Sequence, residues 1–172
     1  MNIAIIGYGY WGPNLVRNFS LVNNCKVKMV SDFRQDRLVI VSKTYPGIKV
    51  STDPDDILLS KEIDAVVIAT PVFTHFSLAK KALENGKHVL LEKPMTSTIK
   101  EAEELMNLAK QKGLLLMVDH TFLYTGAVMK MKQLINEKTI GEIQYFDSSR
   151  INLGLFQIDV NVLWDLAPHD IS

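Results

Sequence analysis

The chain has 172 residues, a hydrophobic fraction of 47%, and 19 Lys and Arg against 19 Asp and Glu. That length is one domain with a remainder, long enough to bury a real core, which excludes disorder over the whole chain. The balanced charge argues against a dedicated nucleic-acid binder, although local backbone donors could still hold an anionic ligand. A single cysteine, Cys25, excludes an intramolecular disulfide. The start, Met1 to Gly7, has no basic n-region and its apolar run breaks at Gly7, so it is read as no signal peptide. Apolar runs fall well short of the ~18 residues of a membrane span. The expectation is a soluble, cytoplasmic α/β protein with no membrane partner.

Short β-branched runs alternate with segments of helical period, the pattern of parallel βαβ units. Asn2 to Ile6 is the first expected strand and Pro13 to Leu21 the helix after it. Lys26 to Ser31 and Ile48 to Val50 are the next strands, separated by a helix over Gln35 to Tyr45. Asp53 is the expected N-cap of a short helix, Asp55 to Leu59, with Pro54 at its first position. Asp64 to Ala69 is apolar on both faces, as a central parallel strand should be. Thr74 to Glu84 reads as a helix stopped by Asn85-Gly86, and His88 to Leu91 as a strand. Thr98 and Glu101 are spaced as a capping box for a helix to Gln111, with Gly113 past its end. Leu114 to Val118 completes a sixth strand.

After residue 120 the texture changes. Gly126 to Asn136 looks helical, Gly141 to Asn152 alternates like an exposed edge strand, and the chain ends on a mixed segment that reads as cut within an element. The boundary is expected at residues 120/121: a Rossmann-type doubly wound unit over 1–120, then the start of an incomplete α+β second domain over 121–172.

Gly7-Tyr8-Gly9-Tyr10-Trp11-Gly12 is a G-x-G-x-x-G between a strand and a helix, the context that motif requires. Gly7 makes the tight turn, Gly9 lets backbone approach a pyrophosphate, and Gly12 lets the helix pack on the strand. Asp32, 20 residues after Gly12, ends the second strand where a carboxylate can accept from both adenosine-ribose hydroxyls. It would repel a 2′-phosphate, which favours NAD over NADP. Arg34 and Arg37 pull the other way, since either could receive that phosphate or stack on adenine. Thr70 and Pro71 end the central strand beside the same crevice, and His75 opens the following helix as a capping, packing or ligand-touching residue. Glu92-Lys93-Pro94 ends the fifth strand, where a partly desolvated Lys93 could polarise a hydroxyl or carbonyl oxygen. The Lys93-Pro94 bond could be cis or trans. No metal site is expected.

At these residues the chain resembles the Gfo/Idh/MocA oxidoreductases. The likeness is carried by the glycine turn from Gly7 to Gly12, Ala69-Thr70-Pro71 with His75, Glu92-Lys93-Pro94, and the tail with Asp165 and His169, all in the family's order. Within the family it is most similar to the 3-dehydrogenases of UDP-N-acetylglucosamine or its uronic acid. Gly7 to Phe19, Arg150 to Gly154 and Asp159 to Asp170 carry that closer likeness. The resemblance implies a nicotinamide-dependent dehydrogenase and a homo-oligomer. Tyr10, Trp11, Thr70, Pro71, His75, Glu92 and Lys93 would then line the cofactor. Lys93 would also contact the reacting hydroxyl, His169 would be the acid/base, and Asp165 its companion. Arg150 would meet the substrate's diphosphate or carboxylate, and Asn161 and Trp164 would line the sugar site. If the tail is helical, Asp165 and His169 share a face, although Pro168 interrupts it unless a helix begins there. The departure from the family is length: full members add a second domain with an open sheet. A non-catalytic NAD-binding module or redox sensor is the competing reading. A methyltransferase on a similar fold is disfavoured by Glu92-Lys93-Pro94 and the complete dinucleotide turn.

Overall fold

The computed structural model describes residues 1–151 and 160–172. The chain divides into two compact units, Met1–Asp119 and His120–Ser172.

In the first unit, strands β1 (Asn2–Ile6), β2 (Lys26–Ser31), β3 (Lys49–Ser51), β4 (Ala65–Ile68), β5 (His88–Leu91) and β6 (Leu116–Val118) form one sheet in the order β3-β2-β1-β4-β5-β6. Every pairing is parallel. Parallel neighbours need crossovers, supplied by α1 (Gly12–Leu21), α2 (Gln35–Thr44), α3 (Asp55–Leu58), α4 (His75–Glu84) and α5 (Ile99–Lys112). The period of two along each strand splits its apolar run between two layers. Ile3, Ile5 and Val67 pack with Leu15, Val16, Leu38 and Val41 of α1 and α2. Ala4, Ile6, Val66 and Ile68 pack with Ile57, Leu83 and Leu105 on the other side. Two covered faces are why β1 and β4 read as unbroken apolar runs, each such side chain contributing about 1.5–3 kcal/mol when fully buried.

Local chemistry sets the ends. Thr98 Oγ1 accepts from the Glu101 N–H and Glu101 Oε2 from the Thr98 N–H, so the capping box is formed, and Gly113 ends α5 at φ 64°. Several element ends lie one or two residues from expectation, and two local details differ in kind. The α3 helix starts at Asp55 with Pro54 as its cap residue, while Asp53 Oδ1 still accepts from the Asp55 N–H at 2.9 Å. A single 3₁₀ turn, Val72–Thr74, precedes α4, which therefore opens at His75.

The second unit holds a 3₁₀ turn, Thr121–Tyr124, and helices α6 (Gly126–Asn136), α7 (Val162–Leu166) and α8 (Pro168–Ile171). None of its described residues is buried. The edge strand expected over Gly141 to Asn152 is not formed at residues 141–151. Alternation marks an apolar face, but a strand also needs a neighbour to take its N–H and C=O groups, and the described residues pair none with it. Residues 152–159, including Asn152 and the apolar Leu153, Leu155 and Phe156, lie outside the described residues. The tail resolves the Pro168 question: α7 ends before Ala167 and α8 begins at Pro168. Ala167 keeps helical angles, φ −59° and ψ −32°, so Asp165 and His169 retain an i, i+4 relation. Among the described residues no helix is long and apolar enough to cross a membrane.

Candidate functional site

The strand order reverses between β1 and β4, and ligands of open parallel sheets bind beyond the carboxyl ends at such a point. One residue past its strand, each of five segments is tied to the neighbouring strand by a backbone bond. Gly7 N–H donates to Ser31 O at 2.7 Å, Asp32 to Ser51 O at 3.2 Å, Ala69 to Ile6 O at 2.8 Å, Glu92 to Ile68 O at 2.9 Å, and Asp119 to Leu91 O at 2.8 Å. The sheet thus lays Asp32, Gly7, Ala69, Glu92 and Asp119 along one edge.

The glycine turn is built around three different demands. Gly7 sits at φ +99°, and a Cβ there would lie 2.5 Å from Ala69 O. A Cβ on Gly12 would lie 2.6 Å from Gly7 O. Gly9 is open, the nearest atom to its Cβ position being Arg34 Nη2 at 3.9 Å. A backbone bare at Gly9, followed by a helix with no side-chain cap, is the cradle a pyrophosphate requires. Tyr10 and Trp11 stand exposed on this turn, their rings edge-to-face at 5.6 Å. Asp32 is buried and locks the turn to β2. Its Oδ2 accepts from Tyr8 N–H at 2.7 Å and its Oδ1 from Arg34 N–H at 2.9 Å, with Arg34 Nε 3.4 Å away. Oδ1 thus accepts twice from Arg34 and Oδ2 once from Tyr8, which leaves a lone pair on Oδ2 for a ribose hydroxyl. The residues present therefore fit a dinucleotide.

At the other side of the switch point, Thr70 Oγ1 lies 2.6 Å from Thr74 Oγ1, and Thr74 donates to Pro71 O. His75 is 1% exposed, with Nδ1 2.9 Å from Pro94 O and Nε2 2.8 Å from Thr70 O. Both ring nitrogens are turned to backbone carbonyls. His75 is thus placed as a brace between the Thr70 and Pro94 loops, the packing role among those expected of it. The Lys93-Pro94 bond is cis. Glu92 is buried and hydrogen-bonds Asp119. Burial, then the Asp119 charge, pushes the Glu92 carboxyl up to about 7, against the opposing pull of the Lys93 N–H and ammonium.

In the second unit Arg150 makes a two-pronged pair with Asp170, Nη2 to Oδ1 at 2.6 Å and Nε to Oδ2 at 3.0 Å. That hydrogen bonding raises the Arg150 guanidinium and lowers the Asp170 carboxyl. The guanidinium also lies 4.8 Å from the Phe122 ring, whose centroid is 4.5 Å from that of His169. Arg150, expected as the substrate anchor, is thus paired with Asp170 through Nε and Nη2, which leaves its remaining guanidinium N–H donors outside this pair. Asn161 Oδ1 accepts from the Trp164 N–H at 2.9 Å, so this expected sugar contact serves as the N-cap of α7. Trp164, Asp165 and His169 are half-buried on α7 and α8. Sequence reasoning missed Asp119 and Phe122; the one signal for Asp119 was its place one residue past β6. Among the described residues no group of three or more His, Cys, Asp or Glu could hold a metal ion.

A six-stranded parallel sheet with a glycine turn at its switch point and an acid ending β2 defines a Rossmann-type dinucleotide-binding unit. The chain belongs to the Gfo/Idh/MocA oxidoreductase family, described as having an NAD-binding Rossmann fold, whose sequence pattern matches residues 1–120. It is 33% identical to the uncharacterized oxidoreductase YdgJ of Escherichia coli over 98% of this chain and 51% of that one. A solved NAD-binding protein from Listeria innocua superposes with a TM-score of 0.76 at 33% identity, covering 82% of this chain and 41% of that chain. KijD10, a 3-ketoreductase from Actinomadura kijaniata solved with NADP and TDP-benzene, has a TM-score of 0.76 at 28% identity, covering 84% and 44%. The chain spans about half the length of the relatives it matches.

Proposed function

We propose that the chain forms the cofactor side of an NAD-dependent dehydrogenase that oxidises a secondary alcohol at C3 of a UDP-sugar, UDP-N-acetylglucosamine or its uronic acid, in polysaccharide sugar biosynthesis. The observation that carries the cofactor part is the turn left bare at Gly9 with Asp32 buried behind it. The substrate part is supported by the sequence likeness of the tail, and by a neighbour in KijD10 that is a 3-ketoreductase solved with a nucleotide-linked ligand. Asp32 favours NAD, because a carboxylate accepts from ribose hydroxyls and repels a 2′-phosphate. Arg34 beside the turn opposes that preference, and KijD10 was solved with NADP.

In this reading Lys93, at the carboxyl edge, donates to the reacting oxygen and stabilises the negative charge that develops there. His169, an imidazole suited to base chemistry at neutral pH, takes the hydroxyl proton, with Asp165 one helical turn earlier to orient it. Bound nicotinamide supplies the acceptor for the hydride that leaves the same carbon. Trp164 remains the candidate sugar-lining side chain. A non-catalytic NAD-binding module or redox sensor is the second reading, favoured by one observation: the cation expected to hold substrate is engaged by Asp170.

The test is NADH formation from each UDP-sugar. Turnover that disappears in both Lys93→Ala and His169→Ala is the expected result. NAD binding without turnover on any such sugar leaves the binding module, and turnover undiminished in both variants removes these residues from the chemistry.

A further inference from the structure

Lys93 follows directly on a pair of carboxyls that no part of the proposed chemistry uses. Leu91 pairs with Val118 at the ends of β5 and β6, so the next residues, Glu92 and Asp119, stand side by side on the carboxyl edge. Their side chains are hydrogen-bonded to each other. Carboxyls are acceptor-only when ionised, so a bond between two of them exists only while one carries a proton. Glu92 also accepts from the backbone N–H of Lys93. On the far side of Lys93, the Pro94 carbonyl is held by His75, buried on α4. The lysine backbone is therefore anchored on both flanks. The His75 flank is reached by a ring, and the other flank depends on a proton.

We propose that Asp119 is a positioning residue for Lys93: it holds the Glu92 carboxyl through a shared proton, Glu92 holds the Lys93 N–H, and loss of that proton loosens the lysine segment. This rests on the reading of Lys93 as the group that meets cofactor and substrate. The charged groups acting on Glu92 are the Asp119 carboxyl from the end of β6 and Lys93 in its own loop, while His75 reaches that loop through the Pro94 carbonyl. With the proton in place, the pair carries one negative charge against the one positive charge of Lys93. Without it, two like charges sit at hydrogen-bonding distance on a buried edge and separate, because burial makes their repulsion costly. Burial and the neighbouring carboxylate both favour the protonated form of Glu92, which places the transition near neutral pH.

The experiment follows the 172-residue chain by NMR, with ¹³C-labelled glutamate carboxyls and ¹⁵N backbone, from pH 5 to pH 9. One glutamate carboxyl is expected to titrate near neutrality, with the Lys93 amide shift moving at the same midpoint. In Asp119→Asn an amide can donate to Glu92 with no shared proton, so both signals should lose their neutral transition. A Glu92 carboxyl that titrates in the ordinary glutamate range overturns the proposal, and so does a Lys93 amide indifferent to the Glu92 transition. NAD affinity measured in parallel should fall on the order of tenfold through that transition in the wild type, the worth of one hydrogen bond to a charged group, and stay level in Asp119→Asn. If the NMR transition is present and no dinucleotide binds at any pH, the cofactor reading fails and the shared proton stands. If NAD binds with the same affinity from pH 5 to pH 9, the positioning role fails and the cofactor reading stands.

Discussion

Residues 1–119 and residues 120–172 use apolar side chains in opposite ways. In the first unit Ile3, Ile5, Leu38, Leu83 and Leu105 are lost to solvent between a sheet and two helical layers. In the second, Met129, Ile135, Ile143, Phe146 and Leu163 remain at the surface, and none of the described residues is buried. An apolar face becomes a core only when something is packed against it. In the first unit the sheet and its helices supply both sides of the two core layers. The carboxyl edge of the sheet is backed by this core, whereas Arg150, Phe122, Asp170 and His169 form a small surface cluster that includes the Arg150–Asp170 pair and the ring contacts at Phe122.

The sharpest way to break this contrast is at the glycine turn. Gly7→Ala forces a Cβ to 2.5 Å from a backbone carbonyl at a positive φ, and should destabilise the first unit by about 3 kcal/mol or more. Gly9→Ala meets nothing closer than 3.9 Å. It should leave the denaturation midpoint within about 0.5 kcal/mol while weakening NAD binding. Equal losses of stability in the two variants would dissolve the distinction between a glycine needed by the fold and one left open for a ligand.

Next in size is truncation on either side of the unit boundary. Leu83→Ala should cost about 2–5 kcal/mol, and Ile135→Ala, at an exposed position, no more than about 0.5 kcal/mol; chemical denaturation of both variants measures the difference. Exposed apolar side chains such as Leu163 should also make the full chain self-associate. Sedimentation showing a concentration-independent monomer would contradict that.

The pH dependence is smaller and confined to the first unit. Folded Glu92 keeps its proton up to about pH 7, whereas in the unfolded chain it releases it near the ordinary 4.5. Between those values the folded state binds more protons, so this stabilisation is fully present below about 4.5 and is lost as pH rises toward about 7. Glu92→Gln should remove that decline, leaving the variant more stable than wild type at pH 8 by up to about 3 kcal/mol, read from urea melts at pH 5 and pH 8. The smallest effect belongs to Arg150→Ala: an exchangeable surface pair in the second unit should leave the unfolding of residues 1–119 unmoved.

What could be read from the sequence was local or strongly periodic. The run from Asp64 to Ala69 is apolar at every other step on both faces, which only a covered central strand tolerates, and Thr98 with Glu101 specify their cap within one helical turn. The glycine turn was equally legible, because strand, turn and helix lie within twenty residues. The rest depended on register and distance. The Glu92–Asp119 bond exists because β5 and β6 pair at Leu91 and Val118, and His75 reaches Pro94 from a different crossover. Arg150 reads by family likeness as a group that meets a substrate anion, and its pairing with Asp170, 20 residues on, depends on how the tail folds. Gly141 to Asn152 alternated convincingly, yet alternation says nothing about whether a neighbouring strand is there to accept it.

Calorimetric titration of the chain with NAD, repeated for Gly9→Ala, tests most directly that the edge bearing Gly9, Asp32 and Lys93 is a dinucleotide site. Saturable binding of one NAD per chain, tighter than NADP and weakened in the variant, is the expected result. Absence of binding by either dinucleotide, or affinity untouched by a methyl group at Gly9, would contradict it.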